Sequence, residues 1–317
     1  MKLIFLTYLN RSGSTYLANL LGSSEEVLVL PEADILVSSF LENPAGLIHF
    51  NEKKHKKLQG ILSNDPKLKH WGVQPDSIIQ QGESLTGFDV FTRILDTYRN
   101  NHKPKASAMV FKAERIIHLV PGLMNAHSKV DVRFLALIRD PRGTFLSQRD
   151  TVSPVTGLPF CRNPVYAAIR WREFTKLCER YRNSRGLHVL QFEQLIRSRN
   201  KVLDGLIHAF ELEPFGPDPG KGDLYERIPE DHRGIHTNVK GDPLLEKTDE
   251  WKGKLSGREI NYIEKTTGKQ MMKWGYVTEQ NGTGSFSPGR IISEINFIVT
   301  TLMRKFVFHI NPVKHAF

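Results

Sequence analysis

Two short segments of the chain hold residue types that handle anions. The first, Asn10-Arg11-Ser12-Gly13-Ser14-Thr15, follows the apolar run Leu3 to Leu9 and leads into a helical pattern from Thr15 to Leu21. A small-residue loop between a strand and a helix start turns backbone N–H groups toward an anion, and the helix dipole adds to their pull. Gly13 allows close backbone approach. Ser12, Ser14 and Thr15 bring hydroxyl donors, and Arg11 a permanent positive charge. The nucleoside-triphosphate form of this loop needs G-x-x-x-x-G-K-[ST]; here no Lys follows Gly13 and no earlier Gly opens the loop. The plainer reading is a tight strand–helix turn with Ser14 as its cap. The second segment begins at Arg139-Asp140-Pro141-Arg142, after the apolar run Phe134 to Ile138. Asp140 suits a helix cap and Pro141 the first helical turn. Arg139 then stands at the carboxyl end of a strand, where open α/β sheets bind ligands. Ser147 follows two turns into the helix, so the two could grip one phosphate. The plainer reading pairs Arg139 with Asp140, or has it cap a neighbouring helix.

The elements that must position these residues are legible as an alternation. Leu3 to Leu9, Val27 to Leu30, Ala108 to Lys112, Val132 to Ile138 and Leu187 to Phe192 read as buried strands. Longer helical patterns lie between them: Thr15 to Leu21, the stripe Leu85, Phe88, Phe91, Ile94, Leu95 and Tyr98, then Val165 to Tyr181 after Asn163-Pro164, and Lys201 to Phe210. Strands alternating with helices predict βαβ units and a largely parallel sheet flanked by helices, a three-layer α/β fold of P-loop-like type. The continuous apolar strands fit a sheet covered on both faces. Asn51 to Gln81, polar and Lys-rich, reads as small helices and loops, and Glu213 to Glu250, rich in Gly, Pro and Asp, as a long loop. The main domain runs over 1–277, a linker over 278–290 and an amphipathic tail over 291–317.

Length and composition bound the rest. The 317 residues are 39% hydrophobic and 25% charged, which excludes wholesale disorder and fibrous repeats. Two cysteines, Cys161 and Cys178, exclude a dense disulfide framework and are read as free thiols. The net charge of +10 favours an anionic partner. The apolar start Met1 to Leu9 ends at Asn10-Arg11 without a small-residue cleavage site and reads as a strand rather than a signal peptide. The expected compartment is the cytoplasm, including its membrane face. The histidines are scattered, the spacing of the two cysteines gives no metal site, and no metal is expected.

Taken together, Arg-Ser-Gly-Ser-Thr after the first strand and Ile-Arg-Asp-Pro-Arg…Ser later in the chain resemble the sulfotransferase family that uses 3′-phosphoadenosine 5′-phosphosulfate (PAPS), most closely its carbohydrate-type branch. Weaker echoes extend the resemblance over 1–276: Phe111-Lys112-Ala113-Glu114-Arg115, Val189 to Leu195, Trp251-Lys252-Gly253-Lys254-Leu255 and Trp274-Gly275-Tyr276. Nothing between Asn51 and Lys105 aligns, and in relatives that region shapes the acceptor site. The resemblance implies that Arg11, Ser12, Gly13, Ser14 and Thr15 hold the 5′-phosphosulfate and that Arg139 and Ser147 hold the 3′-phosphate. Lys252, and with it Lys254, would reach the donor from the closing loop. It implies transfer of a sulfuryl group to an acceptor hydroxyl, on a carbohydrate or glycolipid. Such a reaction asks the protein for in-line positioning and charge stabilisation.

A base must take the acceptor proton. Glu32, just past the second strand, is the leading candidate, as a Glu at that place serves in the carbohydrate-type branch; its structural alternative is a place in the first turn of the next helix. Arg11 would join it in catalysis. Glu25 and Glu26 fall at the wrong strand end, and His118 and His236 are reserves. Lys112 either neutralises sulfate or acceptor charge or lies on the surface. Arg142 and Arg149 are expected as exposed helix charges. For the tail, Ile291, Ile295, Ile298, Leu302 and Phe306 make a stripe. It reads as a packed helix, as a membrane-interface helix with Arg304, Lys305 and Lys314 against anionic lipid, or as a span disfavoured by its charges. The competing functions are a P-loop-like nucleotide kinase, a basic module for nucleic acid or acidic glycans, and an inactive relative that binds anions or glycans. No nucleic-acid module is recognisable, so nucleic acid is not an expected partner.

Overall fold

The computed structural model describes residues 1–126, 130–154, 156–215 and 245–279, with Ile295 in addition. His236, most of the linker and all of the tail but Ile295 lie outside the described residues. All five expected strands form: β1 (Lys2–Tyr8), β2 (Val27–Val29), β5 (Ala108–Lys112), β6 (Asp131–Ile138) and β7 (His188–Gln191). They make one parallel sheet in the order β2-β5-β1-β6-β7. This is the α/β sheet that the alternation predicts.

The helices are α1 (Ser14–Gly22), the single turn α2 (Asp34–Leu36), α3 (Glu52–Asn64), α4 (Gly87–His102), α5 (Ile116–Ala126), α6 (Pro141–Asp150), α7 (Pro164–Arg185), α8 (Phe192–Arg197), α9 (Arg199–Phe210), α10 (Trp251–Lys254) and α11 (Gly257–Lys273). Local chemistry starts several of them. Asn163 Oδ1 accepts from the N–H groups of Val165 and Tyr166 at the head of α7. Asp140 Oδ1 accepts from the Arg142 N–H at the head of α6. Thr86 with Asp89, and Ser256 with Glu259, form reciprocal capping boxes on α4 and α11. Gly13 rather than Ser14 is the cap of α1, and no side chain accepts there.

Apolar layers cover both faces of the sheet. On one, Phe5 lies stacked between Phe91 of α4 and Phe134 of β6. On the other, Ile4, Leu6, Val110, Leu135 and Leu137 meet α1, Phe192 and α9. The stretch 51–81 is more ordered than its polarity suggests. It holds the amphipathic α3, with Leu58 and Leu62 buried, and is bracketed by an antiparallel ribbon of β3 (Leu47–His49) and β4 (Ser84–Thr86). The ribbon was not legible, because three residues carry no periodicity.

Arg142 corrects the expectation of an exposed charge. Its side chain is only 4% exposed, and it bonds Asp140 at 2.7 Å and Glu264 of α11 at 2.6 Å. Its guanidinium also lies 3.7 Å above the Trp251 ring. Arg149 is half-buried and pairs with Glu259 and Asp150. Together these two arginines of α6 fasten α10 and α11 onto the sheet's carboxyl end. Removing one partner of a buried ion pair strands the other charges in low dielectric. Arg142→Ala is therefore expected to cost about 3–5 kcal/mol. Arg142→Met, which keeps packing against Trp251, also strands Asp140 and Glu264 and recovers only part of it. Urea unfolding midpoints of the three proteins measure this; a wild-type midpoint for Arg142→Ala would refute the buried-pair account.

Candidate functional site

The parallel register fixes the site. Ile138 lies beside Gln191, so the next residues, Arg139 and Phe192, leave adjacent strands together. Tyr8 lies beside Leu137, so the loop after β1 emerges next to them. That loop doubles back sharply: Arg11 has φ 73° and Gly13 φ 90°. A Cβ on Gly13 would stand 2.5 Å from the Phe192 ring, so only glycine lets the turn sit against β7's end. The first N–H groups of α1 point out of this turn with no intrahelical acceptor.

The two segments meet here. Arg11 Nε donates to Ser147 Oγ at 3.3 Å, and Arg139 Nη1 donates to the Arg11 carbonyl at 3.2 Å. Arg139 Nη2 donates to the Lys247 carbonyl at 2.8 Å, and its guanidinium stacks 4.5 Å over Phe192. Arg139 Nε is buried and finds no acceptor among the described residues. Gln148 of α6 holds the Asn10 carbonyl at 2.8 Å, and Trp171 of α7 holds the Arg139 carbonyl at 2.7 Å. The Arg139–Asp140 pairing considered from sequence does not form: Asp140 is taken by Arg142. Behind Arg139, Glu193 accepts from the Asp140 N–H and from the Tyr276 hydroxyl at 2.9 Å each. Burial lowers the pKa of both arginines. The charge of Arg139 also bears on Arg11, which falls to about 10; Glu193 and Asp140 offset part of the effect on Arg139. Both remain cations at neutral pH.

A cavity of about 480 Å³ opens onto these groups. Arg11, Gly13, Ser14, Thr15, Arg139 and Ser147 all line it. Ser12 is buried behind the loop and is not among the lining residues. Glu32 lines its other end, past β2 and just ahead of α2 rather than in that helix's first turn. Three groups surround its carboxylate: the Tyr8 hydroxyl donates at 2.6 Å, the Lys112 ammonium at 2.7 Å, and Lys67 stands 3.8 Å away. Lys112 is not a surface lysine. Its side chain is 5% exposed and it also donates to Thr15 Oγ1 at 3.1 Å, linking Glu32 to the anion loop. Burial alone would raise the Glu32 carboxyl, but Lys112, then Lys67 and the hydrogen bonds, bring it down to about 2. Burial and the Glu32 charge push the Tyr8 phenol well above its usual value, so it stays a donor.

Lys252 departs from the expectation. It points out of the cavity to Asp249 at 2.8 Å, whereas its neighbours Lys247 and Lys254 line the cavity, tied to Glu250. His118 is not among the lining residues, and Glu25 and Glu26 precede β2 as expected. Lys67 and Asp34, which sequence reasoning passed over, belong to the Glu32 end. Asp34 could have been found as Glu32's near neighbour; Lys67 carries no signal beyond lying in a Lys-rich stretch. Cys161 and Cys178 are both buried free thiols. Among the described residues, no group of His, Cys, Asp or Glu could hold a metal ion, and no helix is long and apolar enough to cross a membrane.

The sequence profile of the sulfotransferase family matches residues 4–217, two thirds of the chain and all of the sheet but its first two residues, with both anion-binding segments. The chain belongs to the sulfotransferase family. A search of curated protein sequences finds none that matches. Among solved structures, the sulfotransferase domain from the curacin biosynthetic pathway superposes with a TM-score of 0.53 at 18% identity, covering 87% of this chain and 98% of that domain. The sulfotransferase domain of the Synechococcus PCC 7002 olefin synthase gives 0.50 at 16% identity, covering 87% and 94%. At these identities the likeness is one of fold, an α/β fold like the one described above.

The Glu32 cluster sets an acid limit. Its carboxyl is lowered from 4.5 to about 2, so the ion pairs stabilise the fold fully above 4.5 and are lost as pH falls toward 2. The stability advantage of wild type over Glu32→Gln should therefore shrink across that window. Thermal midpoints of both proteins from pH 6 to pH 2 test this; a pH-independent gap would mean that Lys112 and Lys67 do not hold Glu32 ionised.

Proposed function

We propose that this sulfotransferase moves a sulfuryl group from PAPS to an acceptor hydroxyl, on a carbohydrate or glycolipid as in the branch its motifs resemble. The observation that carries the reading is the joining of two anion sites in one cavity, with a carboxylate at its far end. Arg11, the open amides of α1, Ser14 and Thr15 suit the 5′-phosphosulfate. Arg139, whose buried Nε finds no acceptor among the described residues, and Ser147 suit a second phosphate. The close seat of Gly13 on Phe192 keeps the loop in the shape such a group needs. Lys247 and Lys254, which line the cavity, suit the rim, with Lys252 beside them outside the lining residues.

The donor supplies a sulfuryl group activated on a 5′-phosphate leaving group. Transfer forms one bond, from acceptor oxygen to sulfur, and breaks the bridging sulfur–oxygen bond, whose electron pair stays on the phosphate. Arg11 and the loop N–H groups neutralise the charge that grows there. Glu32 receives the acceptor's proton, its oxygen already oriented by Tyr8. Lys112, between Glu32 and Thr15, can lend its charge to an anion in the loop; doing so releases Glu32 from its strongest cation and raises its basicity. The domain division into a sulfotransferase domain over 1–277, a linker over 278–290 and a tail over 291–317, the tail either packing on the protein or meeting the membrane surface from the cytoplasmic side, belongs to the same proposal.

Isothermal titration with 3′-phosphoadenosine 5′-phosphate (PAP), with adenosine 5′-phosphate as control, tests the two-site reading. Wild type should bind the bisphosphate and bind the monophosphate far more weakly. Arg11→Ala and Arg139→Ala should each weaken PAP binding at least about tenfold, or ~1.4 kcal/mol. Glu32→Gln should leave PAP affinity intact while abolishing transfer. No binding of PAP to the wild type would end the assignment.

A further inference from the structure

The end of β5 holds the anion loop at both of its ends, and one of these holds has no task in the reaction described above. Lys112, the last residue of β5, reaches Thr15 at the far end of the loop. Two residues on, Glu114 Oε2 accepts from the Asn10 side-chain amide at 2.9 Å, at the near end. The backbone of Glu114 is fixed to the strand that leads into the loop. Its carbonyl accepts from Thr7 Oγ1 of β1 at 3.0 Å, and the Ala113 N–H donates to the Leu6 carbonyl at 3.1 Å. The other Glu114 oxygen, Oε1, pairs with Arg170 of α7. Asn10 lines the cavity; Glu114 is not among the lining residues.

Asn10 needs a hold because of the residue that follows it. Arg11 adopts φ 73°, the left-handed region that is costly for a residue with a Cβ. Such a conformation persists where its surroundings over-determine it. From α6, Gln148 donates to the Asn10 carbonyl at 2.8 Å, and Arg139 donates to the Arg11 carbonyl at 3.2 Å. These bonds fix the two peptide planes that flank Arg11. Glu114 adds the Asn10 side chain to what is fixed. One helix backs both anion segments: Trp171 of α7 holds the Arg139 carbonyl, and the adjoining Arg170 holds Glu114. A carboxylate this near an anion loop would repel the anion, and the Arg170 guanidinium offsets its charge.

We propose that Glu114 is a positioning residue of the donor site: through the Asn10 side chain it fixes the entry to the loop and keeps Arg11 in the left-handed conformation that places its guanidinium in the cavity. The proposal rests on the donor reading of that cavity. Its sign is distinctive. Removing the Glu114 charge by itself favours an anion, so weaker binding in its absence reports lost position and not lost charge.

The test is PAP titration of the full-length protein, with thermal midpoints recorded alongside. The proteins are wild type, Glu114→Ala, Asn10→Ala, the double variant, Glu114→Gln and a control on α7, Glu179→Ala, which gives up an ion pair with Lys273 at 2.7 Å. Glu114→Ala and Asn10→Ala should each bind PAP at least about tenfold more weakly, as the loss of one hydrogen bond to a charged group gives. The double variant should bind no more weakly than the worse single, since both remove the same hold. Glu114→Gln, whose amide oxygen still accepts from Asn10, should keep most of the affinity that Glu114→Ala loses. Glu179→Ala should bind as wild type does, whatever its midpoint. Wild-type or tighter affinity in Glu114→Ala, additive losses in the double variant, or an equal loss in Glu179→Ala would each overturn the proposal. Should Glu114→Ala fail to fold, Glu114→Asp takes its place: it keeps the charge, falls a methylene short of Asn10 and should also bind PAP more weakly, and wild-type affinity there overturns the proposal. A wild type that binds no PAP ends the donor reading and the positioning role with it, whereas equal binding by wild type and the Glu114 variants ends the positioning role alone.

Discussion

Two guanidinium groups share one buried corner, and much of the architecture follows from making that tolerable. Arg139 reaches the Arg11 carbonyl, and its charge lowers the pKa of Arg11. Like charges this close need an environment that accepts them. Phe192 offers a ring face to Arg139, and Glu193, Asp140 and Glu250 supply compensating field. The strand order puts the needed neighbours side by side: β6 delivers Arg139, β7 delivers Phe192 and Glu193, and β1 delivers Arg11. A corner so charged is pre-organised for an anion, because the cost of assembling its positive groups is met by folding and not at the moment of binding.

At the opposite end of the cavity the signs are balanced. Glu32 and Asp34 face Lys112 and Lys67. The anion end and the balanced end are linked by Lys112, which touches Thr15 on one side and Glu32 on the other, and by the Tyr8 hydroxyl, which meets Glu32 and Ser14. Events at one end are therefore felt at the other without movement of the backbone. Chemistry that joins an anionic donor to a neutral hydroxyl asks for this division.

The sheet and the anion corner were legible because both are written locally. Five apolar runs, a small-residue loop after the first and an Arg at the end of the fourth need no long-range information. What was misread depends on residues far apart in the chain. Arg142 looks solvent-facing until Glu264 and Trp251 arrive from α10 and α11. Lys112, at a strand end, fits a site charge and a surface lysine equally well in sequence, and its burial becomes visible only when Glu32 is placed beside it. Lys252 and Lys254 are indistinguishable in sequence; the pairing of Lys252 with Asp249, in the turn before α10, turns it away. The three-residue strands of the ribbon, and the placing of Lys67 beside the buried Leu68, are announced by no periodicity.

The Tyr276 hydroxyl bond to Glu193 ties the far end of the described chain to the strand that seats Arg139. Gln191 adds to the tie by donating to the Trp274 carbonyl. During synthesis the five strands and the loop after β1 leave the ribosome long before these residues do. The charged corner is thus completed last, and a nascent or prematurely ended chain can own every donor-facing residue without owning the pocket. Translation itself becomes the clock that decides when the pocket is whole.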